Sequence, residues 1–237
     1  MNHIQEEFLK NELTWLKSLS CEIHSTENYI VVKSDFSQSE DFNFILPRKI
    51  VQEKDLYKVM DQYKIKYLKI ATPTLIDLKL NPAMICLKTH DLNFKASAPL
   101  SNFRKLCNKK KGIWLSDSIP WKYSTPSNRF FSQNIVPFTI CFNQYEIGQV
   151  CLVILNNNIG IYDLEIYKEF QKQGLGNNFL KELLSMNNES DIGNIFIQTW
   201  NENTIARRLY SSNGFNVVGK YRYYGSSSNR VGEDKFE

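Results

Sequence analysis

The chain has 237 residues, of which 42% are hydrophobic and 23% are charged, and its formal net charge is +4. This length and composition exclude a disordered chain and are typical of one large folded domain or two small ones. The slight positive charge gives weak support for an anionic ligand and argues against nucleic acid as a partner.

The five cysteines are scattered, and none forms a Cys-x-x-Cys pair, while the three histidines lie apart in the sequence. We therefore expect small core side chains in a reducing compartment, with no disulfide framework and no metal site. The N-terminus is acidic and amphipathic, so it does not resemble a signal peptide, and no apolar run approaches the ~18 residues of a membrane span. The sequence predicts a cytoplasmic protein without a membrane partner.

The first half of the chain reads as an α+β mixture. Helices are predicted over residues 4–19 and 53–65, where apolar residues recur at helical spacing. Strands are predicted over residues 28–34, 42–48, 66–72 and 82–90. Residues 1–111 contain no glycine, so we do not expect a phosphate-wrapping turn in this half.

The segment 95–135 carries several prolines and the basic run "RKLCNKKK" at 104–111. That run is interpreted as a solvated loop, and the alternative is a contact to the outer phosphates of a cofactor. Beyond it, helices are predicted from residue 175 and over 203–212. Strands are predicted over 137–143, 147–157, 159–167 and 194–200, with a last strand pair over 215–224.

Two glycines, Gly174 and Gly176, stand between a predicted strand and a predicted helix. The first N–H groups of a helix have no internal partners and carry about half a positive charge, so this turn is suited to an anion such as a pyrophosphate. Gln171 adds a neutral donor at its rim. The dinucleotide fingerprint fails because residue 179 is Phe, and no Walker motif is present. A tight corner packed on the sheet is the alternative.

The wider pattern resembles the GNAT acyltransferase superfamily. "QKQGLG" at 171–176 is similar to its Q/R-x-x-G-x-G/A signature. A second half-motif follows about thirty residues later, carried by Asn203, Ala206, Leu209, Tyr210, Gly214 and Phe215. The resemblance covers residues 137–224.

The resemblance implies an α/β (α+β) fold with a mixed, mostly antiparallel sheet, flanking helices and two central strands that splay apart around acetyl-CoA. Asn203 would contact the cofactor, or cap its helix, or both. Strand residues Ile166 and Tyr167 would pair with the pantetheine arm. The pyrophosphate would be held by the backbone N–H groups of Gln173, Gly174, Leu175 and Gly176.

The resemblance further implies direct acetyl transfer to an amine, without a metal. Asp163 matches an acid of several members and is the favoured proton acceptor, with Glu165 in reserve, and strand alternation predicts both on one face. Tyr210 stands where the family often uses a tyrosine to protonate the leaving thiolate, although a core aromatic is also needed there. A backbone N–H near Ile166 or Tyr167 would stabilise the oxyanion.

We expect two domains, a smaller N-terminal α+β domain over 1–94 and the acetyltransferase domain over 95–237. The first resembles a degenerate GNAT-like domain in its order of elements, which would give a tandem arrangement, and an unrelated α+β cap is the alternative. The predicted function is acetyl-CoA-dependent N-acetylation of an unidentified primary amine. An acyl-CoA sensor, a catalytically inactive scaffold and a pure interaction domain remain as alternatives.

Overall fold

The computed structural model describes residues 3–72, 84–99, 106–108, 111–117, 134–185 and 192–226. Its main helices are α1 (His3–Ser18), α2 (Glu53–Tyr63), α3 (Leu175–Leu184) and α4 (Thr204–Ser212), and Lys168–Phe170 form a 3-10 turn. The strands are β1 (Glu22–Ser25), β2 (Tyr29–Lys33), β3 (Phe44–Pro47), β4 (Leu68–Thr72), β5 (Met84–Pro99), β6 (Ile113–Asp117), β7 (Ile135–Phe142), β8 (Tyr145–Leu155), β9 (Asn158–Ile166), β10 (Ile192–Trp200) and β11 (Asn216–Ser226).

The elements confirm most of the sequence prediction, because each predicted helix and strand overlaps an observed one. The predicted strand pair over 215–224 is wrong, since β11 runs unbroken through this segment. Strands β1 and β6 were not predicted, because both are short and end in consecutive polar residues. The sheet is mixed and mostly antiparallel, as expected.

The chain divides into two compact units. Unit 1 comprises Met1–Asn2, Ser20–Leu92 and Gly219–Glu237, and unit 2 comprises His3–Leu19 and Asn93–Val218. The first helix therefore belongs to unit 2, and most of the last strand belongs to unit 1. The division into an N-terminal domain over 1–94 and an acetyltransferase domain over 95–237 stays a prediction.

In unit 1 the strand order is β1-β2-β3-β4-β11. The connection β3–α2–β4 joins two parallel strands, whose only pairing among the described residues is Ile45 with Leu68. Helix α2 buries Leu56, Val59 and Met60 in this unit's core. The resemblance of this half to a degenerate GNAT-like domain stays a prediction.

Unit 1 also contains a buried lysine. The side chain of Lys69 on β4 is fully buried, and its Nζ lies 4.6, 4.2 and 5.2 Å from the ring centroids of Phe44, Tyr221 and Tyr223. Aromatic faces attract a cation, so the three rings offset part of the cost of removing the ammonium group from water. Both tyrosines lie on β11, opposite β4.

In unit 2 the strand order is β6-β7-β8-β9-β10-β5. Strands β7, β8 and β9 form an antiparallel meander, whereas β9 and β10 are parallel and are connected through α3. Helix α3 buries Leu175, Phe179, Leu180 and Leu183, four of the five residues of the predicted apolar stripe. No helix among the described residues has both the length and the apolar character needed to cross a membrane.

Helix α1 packs on one face of the unit 2 sheet through polar as well as apolar side chains. Asn11 Nδ2 donates to the Val153 carbonyl oxygen at 3.1 Å, and Asn11 Oδ1 accepts from the Tyr162 hydroxyl at 2.9 Å. The Trp15 and Tyr162 rings stack at 4.6 Å. The residue at position 160 is glycine, and a Cβ there would overlap Asn11 Oδ1. These contacts fix the register of α1 along β9.

Two cysteine thiols are expected to make the fold less stable at alkaline pH. Burial raises the pKa of Cys21 and Cys151 from 9.0 to about 12. A raised native pKa means that the stabilisation is complete below pH ~9 and is lost as the pH rises toward ~12, because the unfolded thiols ionise first.

We expect the free energy of unfolding to fall by about 3 kcal/mol between pH 8 and pH 10 from these two thiols together. Urea denaturation at both pH values measures this change. The double variant Cys21→Ala, Cys151→Ala should lose that part of the pH dependence. If the unfolding free energy fell equally with pH in wild type and variant, the two thiols would not be the cause of the pH dependence.

Candidate functional site

The segment between β9 and α3 is a tight turn built on left-handed residues. Lys172 has φ +61° and Gly174 has φ +76°, and Gly174 is the residue that precedes the first turn of α3. A Cβ at Gly174 would meet no atom within 4 Å, so glycine is favoured there by the backbone angle and not by crowding. At Gly176, a Cβ would lie 3.5 Å from Ile166 Cγ1, an ordinary contact.

This turn presents a run of unpaired backbone donors. The first intrahelical bond of α3 runs from the Asn178 N–H to the Gly174 carbonyl oxygen at 2.9 Å. Within the described residues, the N–H groups of residues 172–177 donate to no protein acceptor. Because these donors coincide with the positive end of the helix dipole, the turn can bind a phosphate or pyrophosphate through its backbone alone.

Next to the turn, the two parallel strands separate. Strand β9 pairs with β10 from Asn158↔Asn194 to Ile161↔Ile197, and in the part of the chain that the structure describes the pairing ends there. Residues 162–166 of β9 therefore present a backbone edge that β10 does not cover. This is the splayed arrangement that the sequence resemblance implied, and an extended ligand could pair with the open edge.

At the end of β9, Ile166 and Tyr167 differ in whether their backbone groups already have hydrogen-bond partners. The Tyr167 N–H donates to the Ile147 carbonyl oxygen at 2.9 Å, and the Tyr167 carbonyl accepts from the Phe170 N–H at 2.8 Å. Alternation along an antiparallel pair then directs the N–H and C=O of Ile166 away from β8, toward the open edge. Ile166 is thus the residue of the two whose N–H can meet a ligand, while the backbone of Tyr167 is already bonded.

The two glutamines of the motif, Gln171 and Gln173, donate hydrogen bonds to backbone carbonyl groups next to the turn. Gln171 Nε2 donates to the Ile166 carbonyl oxygen at 2.8 Å, and Gln173 Nε2 donates to the Glu169 carbonyl oxygen at 3.0 Å. The sequence suggested Gln171 as a rim donor to the anion. In the structure its amide instead ties the turn to the end of β9, so it positions the unpaired backbone donors.

A bulge in β9 separates the two candidate carboxylates. Glu165 pairs with Gln149 and Tyr162 with Cys151, so two β9 residues, 163 and 164, lie opposite one residue of β8. Asp163 has φ +49°, which accommodates the extra residue. The alternation on which the prediction for Asp163 and Glu165 was based is therefore broken between them. Glu165 shares the face of Tyr162, which is the face of α1.

Gln149 is a residue of this site that the sequence did not indicate. Its side chain is 3% exposed, and its Nε2 donates to Glu165 Oε2 at 2.8 Å, while Glu165 is exposed. A buried amide thus holds one oxygen of an accessible carboxylate. The only signal for it in the sequence is a glutamine inside an otherwise apolar strand, "GQVCLVI".

Asn203 caps helix α4, as one of the two predicted roles requires. Its Oδ1 accepts from the Ala206 N–H at 3.0 Å. Asn203 is exposed, and within the described residues its Nδ2 donates to no protein acceptor. Capping therefore leaves the amide free to contact a ligand. The far end of α4 is tied to α3 through Asn213 Nδ2, which donates to Asn177 Oδ1 at 2.8 Å.

Tyr210 lies on α4 and packs against Phe215, with the ring centroids 5.8 Å apart, and it is 6% exposed. Burial raises the pKa of Tyr210 to about 12, so the phenol stays protonated at neutral pH. Complete proton transfer to a thiolate of pKa ~8.5 would then be uphill by roughly 5 kcal/mol. A buried phenol of this kind is better suited to donate a hydrogen bond to a leaving thiolate than to surrender its proton.

Some predicted contacts lie outside the described residues. They include most of the basic run at 104–111, the alternative contact to the outer phosphates of a cofactor. Among the described residues, no group of three or more His, Cys, Asp or Glu side chains could hold a metal ion.

The split parallel pair and the unpaired donors at the start of α3 form an arrangement that could accept an extended, phosphate-bearing ligand. Residues 127–225 match the family model described as an acetyltransferase (GNAT) domain. This part of the chain is a GNAT domain, and the resemblance stated from the sequence is confirmed. A search of curated proteins finds no match.

Solved structures support the fold over nearly the whole chain. A GCN5-related N-acetyltransferase from Kribbella flavida is 9% identical, with a TM-score of 0.56, and covers 92% of this chain and 95% of its own. A conserved protein of unknown function from Staphylococcus epidermidis is 13% identical, with a TM-score of 0.56, and covers 88% and 94%. A GNAT-family protein from Novosphingobium aromaticivorans is 12% identical, with a TM-score of 0.51, and covers 86% and 91%. At these identities the likeness concerns the fold alone.

Proposed function

We propose that the protein is an acetyl-CoA-dependent N-acetyltransferase that transfers the acetyl group directly to a primary amine. The observation that carries the proposal is the run of unpaired N–H groups at 172–177 beside the uncovered edge of β9. A diphosphate needs several donors in one place, and a pantetheine arm has amides that can pair with a strand edge. The two features adjoin in the order in which the parts of acetyl-CoA follow each other.

The chain's own residues fit this cosubstrate. Backbone donors of Gln173, Gly174, Leu175 and Gly176 would hold the pyrophosphate. The Ile166 N–H would meet the arm, and Asn203 Nδ2 would contact it from α4. Bound there, acetyl-CoA supplies an activated thioester, so no metal is required for the transfer.

Two groups are proposed to handle protons. A carboxylate of β9, Asp163 or Glu165, takes a proton from the acceptor ammonium group, because only the free amine is nucleophilic. Tyr210 donates a hydrogen bond to the thiolate as the C–S bond breaks, in keeping with the raised pKa of its buried phenol. Both roles are assigned to side chains that lie in unit 2.

The experiment that tests the function measures CoA release from acetyl-CoA by chromatography. A panel of primary amines is offered, comprising polyamines, amino acids, aminoglycosides and peptides with free N-termini. Release that depends on the amine, with mass spectrometry of an acetylated product, supports the enzyme. Binding of acetyl-CoA without amine-dependent release would indicate an acyl-CoA sensor or inactive scaffold, and absence of binding would indicate an interaction domain.

Tyr210→Phe tests the proposed thiolate donor. We expect kcat to fall about 10-fold to 100-fold, because one hydrogen bond made as the charge develops is lost. The KM for acetyl-CoA and the Tm should change little, since the ring and its packing against Phe215 are retained. Unchanged kcat in a folded variant would show that Tyr210 serves only the core.

A cytoplasmic location and the absence of nucleic-acid and membrane partners remain predictions from the sequence.

A further inference from the structure

The two faces of β9 carry different parts of the site. Helix α3 approaches the face of Ile166, whose Cγ1 lies 3.5 Å from the position of a Cβ at Gly176. Helix α1 covers the opposite face, where Asn11 and Trp15 contact Tyr162. The bulge at residues 163 and 164 places Ile166 on the α3 face and Glu165 on the α1 face. The strand therefore lies between the unpaired donors of the turn and the Glu165 carboxylate.

The difference between the two faces of β9 indicates from which side an acceptor would approach. A cosubstrate anchored by its phosphates at the α3 turn would enter the gap between β9 and β10 from the α3 face. An acceptor would then approach its reactive end from the other face. On that face β9 carries Tyr162 and Glu165, and Glu165 is exposed. Asp163 lies at the bulge itself, with φ +49°.

We propose that Glu165 is the carboxylate that takes the proton of the acceptor amine, and that Gln149 is its positioning residue. This inference rests on the proposed function and selects one of its two candidate carboxylates. The acceptor is then a primary amine that arrives as a cation and pairs with Glu165 before it reacts. Its path passes the stacked rings of Trp15 and Tyr162, so an N-terminal residue outside the matched domain flanks the acceptor.

The position of Gln149 explains how an exposed glutamate can keep one orientation. An exposed glutamate samples several rotamers, and fixing it costs about 1–2 kcal/mol of side-chain entropy. Gln149 is 3% exposed and lies directly opposite Glu165 in the β8–β9 pairing, so its amide has little freedom. The bond of 2.8 Å to Oε2 leaves the other oxygen, Oε1, available to the ammonium group. Reactions of this kind are sensitive to displacements of about 1 Å.

The proposed step balances in protons and electrons. Glu165 accepts one proton from the ammonium group and becomes a neutral acid, and the freed nitrogen lone pair forms the bond to the acetyl carbon. The C–S bond breaks, and its electron pair leaves with sulfur. The nitrogen loses a second proton and the sulfur gains one, so each turnover releases one net proton to solvent once Glu165 ionises again.

The test compares Glu165→Gln, Asp163→Asn and Gln149→Leu in amine-dependent CoA release, with an amine that wild type acetylates. We expect Glu165→Gln to lower kcat at least 100-fold, as loss of a general base does. Gln149→Leu should lower kcat about 10-fold with an unchanged KM for acetyl-CoA. In the Glu165→Gln background Gln149→Leu should have no further effect on kcat, because Gln149 acts through Glu165. A merely structural role would lower both backgrounds equally.

Glu146→Gln is the matched charge control. Glu146 is an exposed carboxylate on β8, and the register shift between Ile140 and Cys141 places it on the same face as Gln149, so it controls for the loss of a negative charge near Glu165. It should keep more than half of the wild-type kcat. A larger fall for Asp163→Asn than for Glu165→Gln overturns the inference and leaves the proposed function intact. Absence of amine-dependent release in wild type overturns both.

Discussion

Gly174→Glu is expected to abolish the rise in Tm that acetyl-CoA produces in the wild-type protein. A ligand at ~100 times its Kd adds about 2.7 kcal/mol to the native state, which raises Tm by a few degrees in a protein of this size. The variant places a carboxylate at the start of α3, where the unpaired N–H groups of residues 172–177 lie. The carboxylate competes with a phosphate for these donors and repels it.

The backbone at this position requires a control, because any side chain at φ +76° costs roughly 1–2 kcal/mol. Gly112 is the matched site. It has φ +67°, and a Cβ there meets no atom within 4 Å, as at Gly174. Gly112→Glu should lower Tm by a similar amount in the absence of ligand and keep the full shift with acetyl-CoA.

Differential scanning fluorimetry of the three proteins with and without acetyl-CoA measures both effects. A shift that survives in Gly174→Glu would place the phosphates elsewhere and remove the observation on which the proposed function depends. Loss of the shift in Gly112→Glu as well would show that backbone strain, and not the anion site, controls binding. Isothermal titration calorimetry of the folded variants then gives the change in Kd, which we expect to exceed 100-fold.

The turn between β9 and α3 could be predicted from the sequence because it is local. A strand, two glycines and an amphipathic helix within about thirty residues fix the placement of the turn without any distant contact. The splay of β9 and β10 could be expected only through the family resemblance. Nothing in the apolar pattern of either strand marks residue 161 as the end of their pairing.

The face on which Glu165 lies could not be predicted, because the period of two fails inside β9. A single residue with positive φ, Asp163, inserts one extra position and turns Glu165 to the other face. Aspartate tolerates this conformation, but most aspartates in strands do not adopt it. The bond from Gln149 was missed for the same reason, since it depends on the shifted register.

The sequence also could not show that the first helix belongs to unit 2 and most of the last strand to unit 1. The apolar stripe of α1 predicted a helix, and Phe8, Leu9, Leu16 and Leu19 are buried as expected. However, the stripe does not tell which sheet the helix covers. That information resides in Asn11, a buried polar residue in the middle of the helix whose partners are more than 140 residues away in the chain.

Gly160→Ala is therefore expected to be strongly destabilising. The new Cβ would overlap Asn11 Oδ1 and lie 2.6 Å from Tyr162 Cε2. Neither neighbour can move freely, since Asn11 holds two hydrogen bonds and the Tyr162 ring is stacked on Trp15. Overpacking of this kind costs about 3 kcal/mol, which corresponds to a fall in Tm of roughly 10 °C.

A double-mutant cycle identifies the cause of that loss. Asn11→Ala alone should cost about 3 kcal/mol, because the Val153 carbonyl and the Tyr162 hydroxyl lose their partner. In the Gly160→Ala background, Asn11→Ala also removes the overlap. The double variant should therefore lose about 2 kcal/mol less unfolding free energy than the two single variants lose together. Asn11→Ala with Gly112→Ala is the control and should be additive.

Because Gly160 lies inside residues 127–225 and Asn11 lies outside them, a coupling between the two has a wider meaning. It would show that the first helix of the chain completes the acetyltransferase domain, since α1 then contributes to the same cooperative unit as β9. Urea denaturation of the four proteins gives the coupling free energy. Strictly additive losses for Asn11→Ala and Gly160→Ala would contradict the observed packing of α1 on β9. The domain would then be expected to fold without residues 3–19.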